Sequence, residues 1–68
     1  MKKIGVIGLG NMGSAVARNI QRANFPLYVH DIRKDVGKKL IEKGAIWKNS
    51  PKELMDDVDI VVSMVFGP

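Results

Sequence analysis

The chain has 68 residues, of which 46% are hydrophobic, and it carries a formal net charge of +4 and no cysteine. This length allows no more than one small domain, which we expect to be part of a larger one. The composition excludes disulfides and thiol chemistry, and no apolar run reaches the length that spans a membrane.

A glycine-rich motif follows the first apolar run of the chain. The first strand is predicted over Lys3–Ile7, because this short apolar run is typical of a buried parallel strand. The motif that follows reads G-L-G-N-M-G and opens a segment with helical periodicity. Gly8 permits a tight turn, Gly10 lets a pyrophosphate approach the backbone, and Gly13 lets the helix pack near the strand. The free N–H groups and the dipole of such a helix favour a bound anion.

The second strand is predicted over Leu27–Asp31, and Asp31 lies 23 residues after Gly8. At this position a carboxylate is expected to accept hydrogen bonds from the ribose hydroxyls of a dinucleotide. The combination predicts a dinucleotide site more strongly than the glycines alone, since glycine turns without a ligand are common. Asp31 favours NAD, whereas Arg33 and Lys34 leave NADP open because they offer cations to a 2′-phosphate.

Two helices are predicted, one on each side of the second strand. The first helix is expected from about Met12 to Ala23, and Asn24 and Pro26 end it. The residues expected on its buried face are Met12, Val16, Ile20 and Ala23. A second helix is predicted over Lys34–Lys43 with Gly44 as its C-terminal cap, although Gly37 weakens it.

The last third of the chain completes the pattern. A short third strand is predicted over Ala45–Trp47, and a fourth over Asp59–Val65. Between them, Ser50 begins a helix in which Glu53 completes a capping box. Right-handed crossovers then predict an α/β fold, a partial Rossmann fold whose parallel sheet of about four strands has the order 3-2-1-4. The exposed fourth strand would favour pairing with a second copy of the chain.

The basic charge raises the question of nucleic-acid binding. Seven of the eleven Lys and Arg residues lie between Arg33 and Lys52, and the others are spread along the chain. The few aromatic residues form neither a stacking platform nor a recognition helix. We therefore expect a solvated basic face that favours a polyphosphate ligand, with neither a nucleic acid nor a membrane as partner.

Other polar residues carry weaker signals. His30 is predicted to be a strand-end residue beside the adenosine site rather than a base, because no partner for catalysis is evident. Asp56 and Asp57 match no metal-binding pattern, and Ser63 has no base near it. The residues therefore predict no catalytic group and no metal site.

The chain resembles the N-terminal part of the β-hydroxyacid dehydrogenases, which include 3-hydroxyisobutyrate dehydrogenase and 6-phosphogluconate dehydrogenase. The resemblance is carried by I-G-V-I-G-L-G-N-M-G-S-A-V-A-R-N from Ile4 to Asn19, by Gly44–Pro51 and by Asp59–Val62. It implies an NAD(P)-dependent oxidoreductase acting on a 3-hydroxy acid and its semialdehyde. We expect a cytoplasmic location, since the lack of cysteine fits a reducing compartment. The remaining strands, an all-α domain and the family's catalytic lysine would follow residue 68, so the 68-residue chain alone is expected to be inactive.

Cofactor binding is what the resemblance transfers to this chain, with NAD as the expected cofactor and NADP as the second. With Arg33 added from the argument above, the expected cofactor-binding residues are Gly8, Leu9, Gly10, Asn11, Met12, Gly13, Asp31, Arg33, Met64, Val65 and Phe66. The chain departs from the family pattern at Asn24, where glycine is frequent, and at Phe66, where proline commonly follows the fourth strand. Two alternatives stay open: an enzyme resembling pyrroline-5-carboxylate reductase, which has a similar G-N-M-G start, and a module that senses NAD(H) without turnover.

Overall fold

A computed structural model describes residues 1–64, in which strands and helices alternate. The elements are β1 (Ile4–Ile7), α1 (Asn11–Arg22), β2 (Leu27–His30), a 3₁₀ turn (Lys34–Gly37), α2 (Lys38–Glu42), β3 (Ile46–Trp47), α3 (Pro51–Asp57) and β4 (Ile60–Ser63). All pairs are parallel, and the strand order is β3-β2-β1-β4. The predicted α/β fold and its 3-2-1-4 sheet are confirmed.

The register of the sheet brings three chain segments together at the carboxyl ends of its strands. Ile7 at the end of β1 is aligned with His30 of β2 and with Ser63 of β4. The ladder continues by one bond on each side, because the Gly8 N–H donates to the His30 carbonyl at 2.9 Å and the Met64 N–H donates to the Ile7 carbonyl at 2.7 Å. The residues that follow these strands therefore lie side by side.

The two faces of the sheet are covered by different helices. On one face, fully buried Val6 shares the main core cluster with Ala17 of α1 and Leu40 of α2. On the other face, a Cβ placed on Gly5 would lie 2.3 Å from Leu54 Cδ2. Gly5 thus leaves the space that fully buried Leu54 of α3 occupies, and the sheet is packed on both sides.

The ends of the helices largely follow the predicted signals. Asn24, after α1, has φ +66°, and Gly44, after α2, has φ +107°, so both adopt the left-handed conformation that ends a helix. At the start of α3, Ser50 Oγ accepts a hydrogen bond from the Glu53 N–H at 3.1 Å. The Glu53 carboxylate accepts from the Asn49 N–H at 3.2 Å, one residue earlier than a capping box predicts.

The predicted buried face of the first helix is wrong at both ends. Met12 is 59% exposed, and Ala23 lies beyond α1 as an exposed capping residue. The buried line of α1 runs through Gly13 and Ala17 instead. The first turn of α1 packs on the glycine turn through Gly13, next to the Gly8 carbonyl, and Met12 stays exposed.

The predicted second helix over Lys34–Lys43 is also wrong as a single helix. The segment forms the 3₁₀ turn first and becomes α-helical only from Lys38 to Glu42. Gly37, at the junction, is buried against an indole ring, since a Cβ there would lie 2.8 Å from Trp47 Cζ3. Close packing on Trp47 therefore requires a glycine at the point where a continuous helix would need a better helix former.

The strands are shorter than predicted. β1 begins at Ile4, β3 begins at Ile46, and β4 spans Ile60–Ser63. β2 ends at His30 because Asp31 leaves the ladder and turns its carboxylate toward the glycine turn. The predicted end of the fourth strand at Val65 lies outside the described residues.

Candidate functional site

The turn after β1 requires glycine at two of its three motif positions. Gly8 has φ +92°, a conformation that side-chain-bearing residues rarely adopt. A Cβ on Gly13 would lie 1.8 Å from the Gly8 carbonyl oxygen, so α1 packs against the turn without room for a methyl group. The predicted packing role of Gly13 is thus confirmed.

Gly10 differs from the other two glycines. It is the N-terminal capping residue of α1 with φ −69°, which any residue can adopt. A Cβ at this position would have no atom of the described residues within 4 Å. Internal packing therefore does not require glycine here, and the open space beside its backbone is available to a ligand.

The start of α1 offers backbone donors to this open space. In residues 1–64, no acceptor takes a hydrogen bond from the N–H groups of Asn11, Met12 or Gly13, and the first turn contains no acidic residue. Asn11 and Met12 are exposed. Free N–H groups at the N-terminus of a helix carry partial positive charge, so this end of α1 can bind a phosphate.

Leu9 contributes its backbone rather than its side chain. The side chain is 2% exposed and belongs to the core cluster. Its N–H donates to Asp31 Oδ2 at 2.7 Å, while its carbonyl accepts from Ser14 Oγ at 2.8 Å. The glycine turn is thereby fastened to β2 on one side and to α1 on the other.

The Asp31 carboxylate is buried and accepts four hydrogen bonds. Oδ2 accepts from the Leu9 N–H, and Oδ1 accepts from the Arg33 N–H at 2.8 Å. Arg33 Nε and Nη2 add contacts at 3.2 Å and 3.4 Å. Burial alone raises the pKa of Asp31, but the bonds from Arg33 and Leu9 outweigh this and lower it from 3.8 to about 2. Asp31 is therefore anionic at neutral pH.

The guanidinium of Arg33 is the exchangeable partner of this carboxylate. The Arg33 side chain is 59% exposed, and both of its contacts to Asp31 are longer than the two backbone bonds. Solvent screens a guanidinium that is this exposed, so its pairing with the buried carboxylate contributes little free energy. Hydroxyl donors of a ligand can therefore replace the guanidinium while the backbone N–H groups keep the carboxylate in place.

A cleft of about 370 Å³ opens at the carboxyl ends of the strands, where the segments that follow β1, β2 and β4 meet. Its lining consists of Ile7, Gly8, Gly10, His30, Asp31, Ile32, Arg33, Pro51 and Met64. It brings together Gly8, Gly10, Asp31, Arg33 and Met64 from the predicted set. Asn11, Met12 and Gly13 lie at the adjoining start of α1.

Four residues in the lining are not among the expected binding residues: Ile7 at the end of β1, His30, Ile32 and Pro51. Ile32 is 94% exposed. An apolar residue directly after a carboxylate expected to bind ribose is the sequence signal that could have identified it. The sequence predicts Pro51 only as the start of a helix and His30 only as a neighbour of the site. Val65 and Phe66, predicted to contact the cofactor, lie outside the described residues.

A larger groove of about 500 Å³ lies between α1 and α2, and its cations include Arg18, Lys38, Lys39 and Lys43. It contains none of the predicted binding residues. Within residues 1–64 no three potential metal ligands come together. In the same range, no helix is both long enough and apolar enough to cross a bilayer.

A parallel β3-β2-β1-β4 sheet with a glycine turn after β1 and a carboxylate after β2 defines the class of dinucleotide-binding domains. Residues 3–67 match the family described as the NAD binding domain of 6-phosphogluconate dehydrogenase. The chain belongs to this family.

Known proteins agree with this membership. The chain is 39% identical to the uncharacterized oxidoreductase YkwC of Bacillus subtilis, covering 98% of this chain and 23% of the relative. It is 37% identical to mouse mitochondrial 3-hydroxyisobutyrate dehydrogenase, covering 91% of this chain and 18% of that enzyme. The chain thus spans about a fifth of the length of these relatives. Among solved structures, an imine reductase variant from Myxococcus stipitatus in complex with NAD+ matches with a TM-score of 0.91 and 26% identity, over 96% of this chain and 23% of the reductase.

Proposed function

We propose that this chain binds the adenosine and pyrophosphate half of a nicotinamide dinucleotide. The observation that carries the proposal is the arrangement of Gly10 and Asp31 around one cleft, beside the free N–H groups of α1. The pyrophosphate would lie against Gly10 and the start of α1, where the helix dipole favours anions. Asp31 would accept hydrogen bonds from the ribose hydroxyls. The proposed contacts also include the remaining expected residues. Leu9 would contribute its backbone, and Met64, Val65 and Phe66 would contribute from the segment after β4.

NAD is the cofactor we propose, with NADP bound more weakly. A buried carboxylate whose pKa is lowered to about 2 stays charged and would repel a 2′-phosphate at the same place. Arg33 acts in the opposite direction, because its guanidinium can form charge-assisted bonds to a phosphate once it leaves Asp31. The carboxylate is held by backbone bonds and the guanidinium is not, which supports NAD.

For the whole protein we propose an oxidoreductase that acts on a 3-hydroxy acid and the matching semialdehyde. This rests on the family and on the likeness to 3-hydroxyisobutyrate dehydrogenase. In that protein the chain would be the first part of the Rossmann domain, and further strands and a helical domain would supply the catalytic lysine and the substrate site.

A second candidate is an enzyme that reduces a carbon–nitrogen double bond, as pyrroline-5-carboxylate reductase does. The structural likeness to an imine reductase favours it over a sensing module without turnover. The two candidates share the cofactor half described here and differ in the substrate domain. Assaying the full-length protein with 3-hydroxyisobutyrate and with a cyclic imine distinguishes them.

The proposed partners are the cofactor and a second copy of this chain. In the described sheet β4 pairs only with β1, and Ile60 and Val61 on it are 45% and 40% exposed. An apolar edge of this kind favours strand pairing, which sedimentation of the chain over a range of concentrations tests. We propose no nucleic-acid or membrane partner, since three of the cations, Arg33, Lys48 and Lys52, already pair with carboxylates.

The proposed compartment is the cytoplasm. The mouse relative is named as mitochondrial, so the location of this protein needs its own test. Fractionation of cells that express the tagged full-length protein provides it. Enrichment in an organelle fraction would contradict the proposal.

Competition by parts of the cofactor tests the binding proposal. ADP-ribose contains the adenosine and pyrophosphate groups that this cleft would hold, whereas nicotinamide mononucleotide does not. ADP-ribose should therefore displace a fluorescent adenine dinucleotide from the chain, and nicotinamide mononucleotide should not. Equal competition by both compounds, or by neither, would contradict the proposed half-site.

A further inference from the structure

His30 is buried beside the cleft, and its ring is fixed by two neighbours. The residue is 8% exposed and lines the cleft together with Asp31 and Pro51. Its Nδ1 lies 2.9 Å from the Lys48 carbonyl oxygen. The Trp47 ring lies 5.8 Å from the imidazole, centroid to centroid, at an interplanar angle of 47°. These contacts leave the imidazole little rotational freedom.

The position of the Lys48 carbonyl is itself well determined. The Lys48 N–H donates to the Val29 carbonyl at 2.8 Å, which continues the pairing of β2 and β3. The Lys48 ammonium forms an ion pair with Asp57 in α3. Lys48 is therefore anchored both at its backbone and at its side chain, and it presents a fixed acceptor to His30.

This acceptor determines which nitrogen of His30 carries hydrogen. A carbonyl oxygen can only accept, so Nδ1 must be the donor, and in the neutral imidazole the lone pair then resides on Nε2. Within residues 1–64, Nε2 makes no protein hydrogen bond, and no fully buried side-chain nitrogen or oxygen lacks a partner. Nε2 consequently keeps access to the surface, and His30 meets the surface at the cleft.

We propose that His30 is a ligand-binding residue whose Nε2 accepts a hydrogen bond from a neutral donor on the adenosine half of the dinucleotide. The inference rests on the proposed dinucleotide function and adds a recognition element to it. Two groups on adenosine offer such a donor, the exocyclic amine of the base and a ribose hydroxyl. Ile32, almost fully exposed on the same cleft, supplies an apolar surface beside them. Asp31 and His30 then recognise adenosine from consecutive positions at the end of β2.

Two substitutions separate the roles of the two ring nitrogens. His30→Asn keeps an N–H donor near the position of Nδ1, and so keeps the bond to Lys48, but it removes the acceptor at Nε2. His30→Gln places a carboxamide near Nε2 and abandons Nδ1. Calorimetric titration of the full chain with NAD+ should show about five-fold weaker binding for His30→Asn, the size of one neutral hydrogen bond. His30→Gln should bind NAD+ more tightly than His30→Asn does.

Analogues identify which donor His30 contacts. Nicotinamide hypoxanthine dinucleotide lacks the exocyclic amine, and the 2′-deoxyadenosine analogue of NAD+ lacks one ribose hydroxyl. The wild-type chain should discriminate against one of them, and His30→Asn should lose that discrimination. Unchanged NAD+ affinity in a folded His30→Asn chain, or unchanged discrimination, would overturn the role of His30. Failure of the wild-type chain to bind NAD+ at all would overturn the proposed function instead.

Discussion

The backbone N–H of Leu9 donates to the Asp31 carboxylate at 2.7 Å, so the glycine turn and the end of the second strand form one unit. The residues are 22 positions apart in the chain, and the bond joins the segments that place Gly8, Gly10 and Asp31 around the cleft. It fixes the proposed phosphate contact relative to the proposed ribose contact. A change at Asp31 should therefore affect both the stability of the domain and the binding of the ligand.

Stability should depend on pH through Asp31. Folding lowers its pKa from 3.8 to about 2, so its stabilising contribution is complete above about pH 4 and is lost as the pH falls through 2. Asp57 has a lowered pKa as well, because Lys48 donates to it, and it adds to the same trend. The contribution of Asp31 is therefore measured by the difference in the free energy of unfolding between wild type and Asp31→Asn. Urea denaturation between pH 5 and pH 2 should show that the free energy of unfolding falls less for the variant than for wild type. Equal falls in the two proteins would contradict this.

Arg33 should influence the two cofactors in opposite directions. Arg33→Ala removes the guanidinium that competes for Asp31, so NAD+ affinity should rise by about two-fold, in keeping with the weak pairing of a solvent-exposed guanidinium. The same change removes the cation nearest to a 2′-phosphate, so NADP+ affinity should fall by about ten-fold. Fluorescence titration with both cofactors at fixed salt measures the ratio of NAD+ affinity to NADP+ affinity. Arg22→Ala is the matched control, because it also removes one positive charge but lies in the last turn of α1 and does not line the cleft. A parallel change for both cofactors would contradict the exchange of partners.

Alanine at Gly13 should destabilise the fold itself. The added methyl group would lie 1.8 Å from the Gly8 carbonyl oxygen, and neither backbone can move without disturbing the turn. We expect a loss of at least about 2 kcal/mol in the free energy of unfolding, as for other overpacked positions. Gly10→Ala is the comparison, since the methyl group there meets open space. Equal stability of the two variants would contradict the packing described for the turn.

The chain by itself should not transfer hydride. Oxidation of an alcohol requires an acid or base placed beside the nicotinamide and an enclosed substrate, and the described residues offer a site for the other half of the cofactor. A purified preparation incubated with NAD+ and 3-hydroxyisobutyrate should show no absorbance change at 340 nm above the protein-free rate. Turnover that His30→Asn abolishes would show that His30 acts in catalysis.

The sequence predicts the fold better than it predicts the details of burial and contact. Glycine spacing and apolar runs determine the strand order, because right-handed crossovers allow few alternatives. Periodicity could not show that Met12 is exposed, or that Trp47 packs on Gly37, since both depend on how separate elements pack together. The bond from His30 to Lys48 is equally invisible in the sequence, because it joins a strand end to a loop 18 residues away.

Calorimetric titration of the chain and of Gly10→Ala with NAD+ tests the central claim most directly. Gly10 has an ordinary φ and open space where a Cβ would point, so the variant should keep its circular dichroism spectrum and its unfolding midpoint. The methyl group would stand where the pyrophosphate must approach. The wild-type chain should bind one NAD+, and the variant should bind it at least about ten-fold more weakly, in line with the loss of charge-assisted hydrogen bonds to a phosphate. Equal affinities in two equally folded proteins would contradict the proposed site.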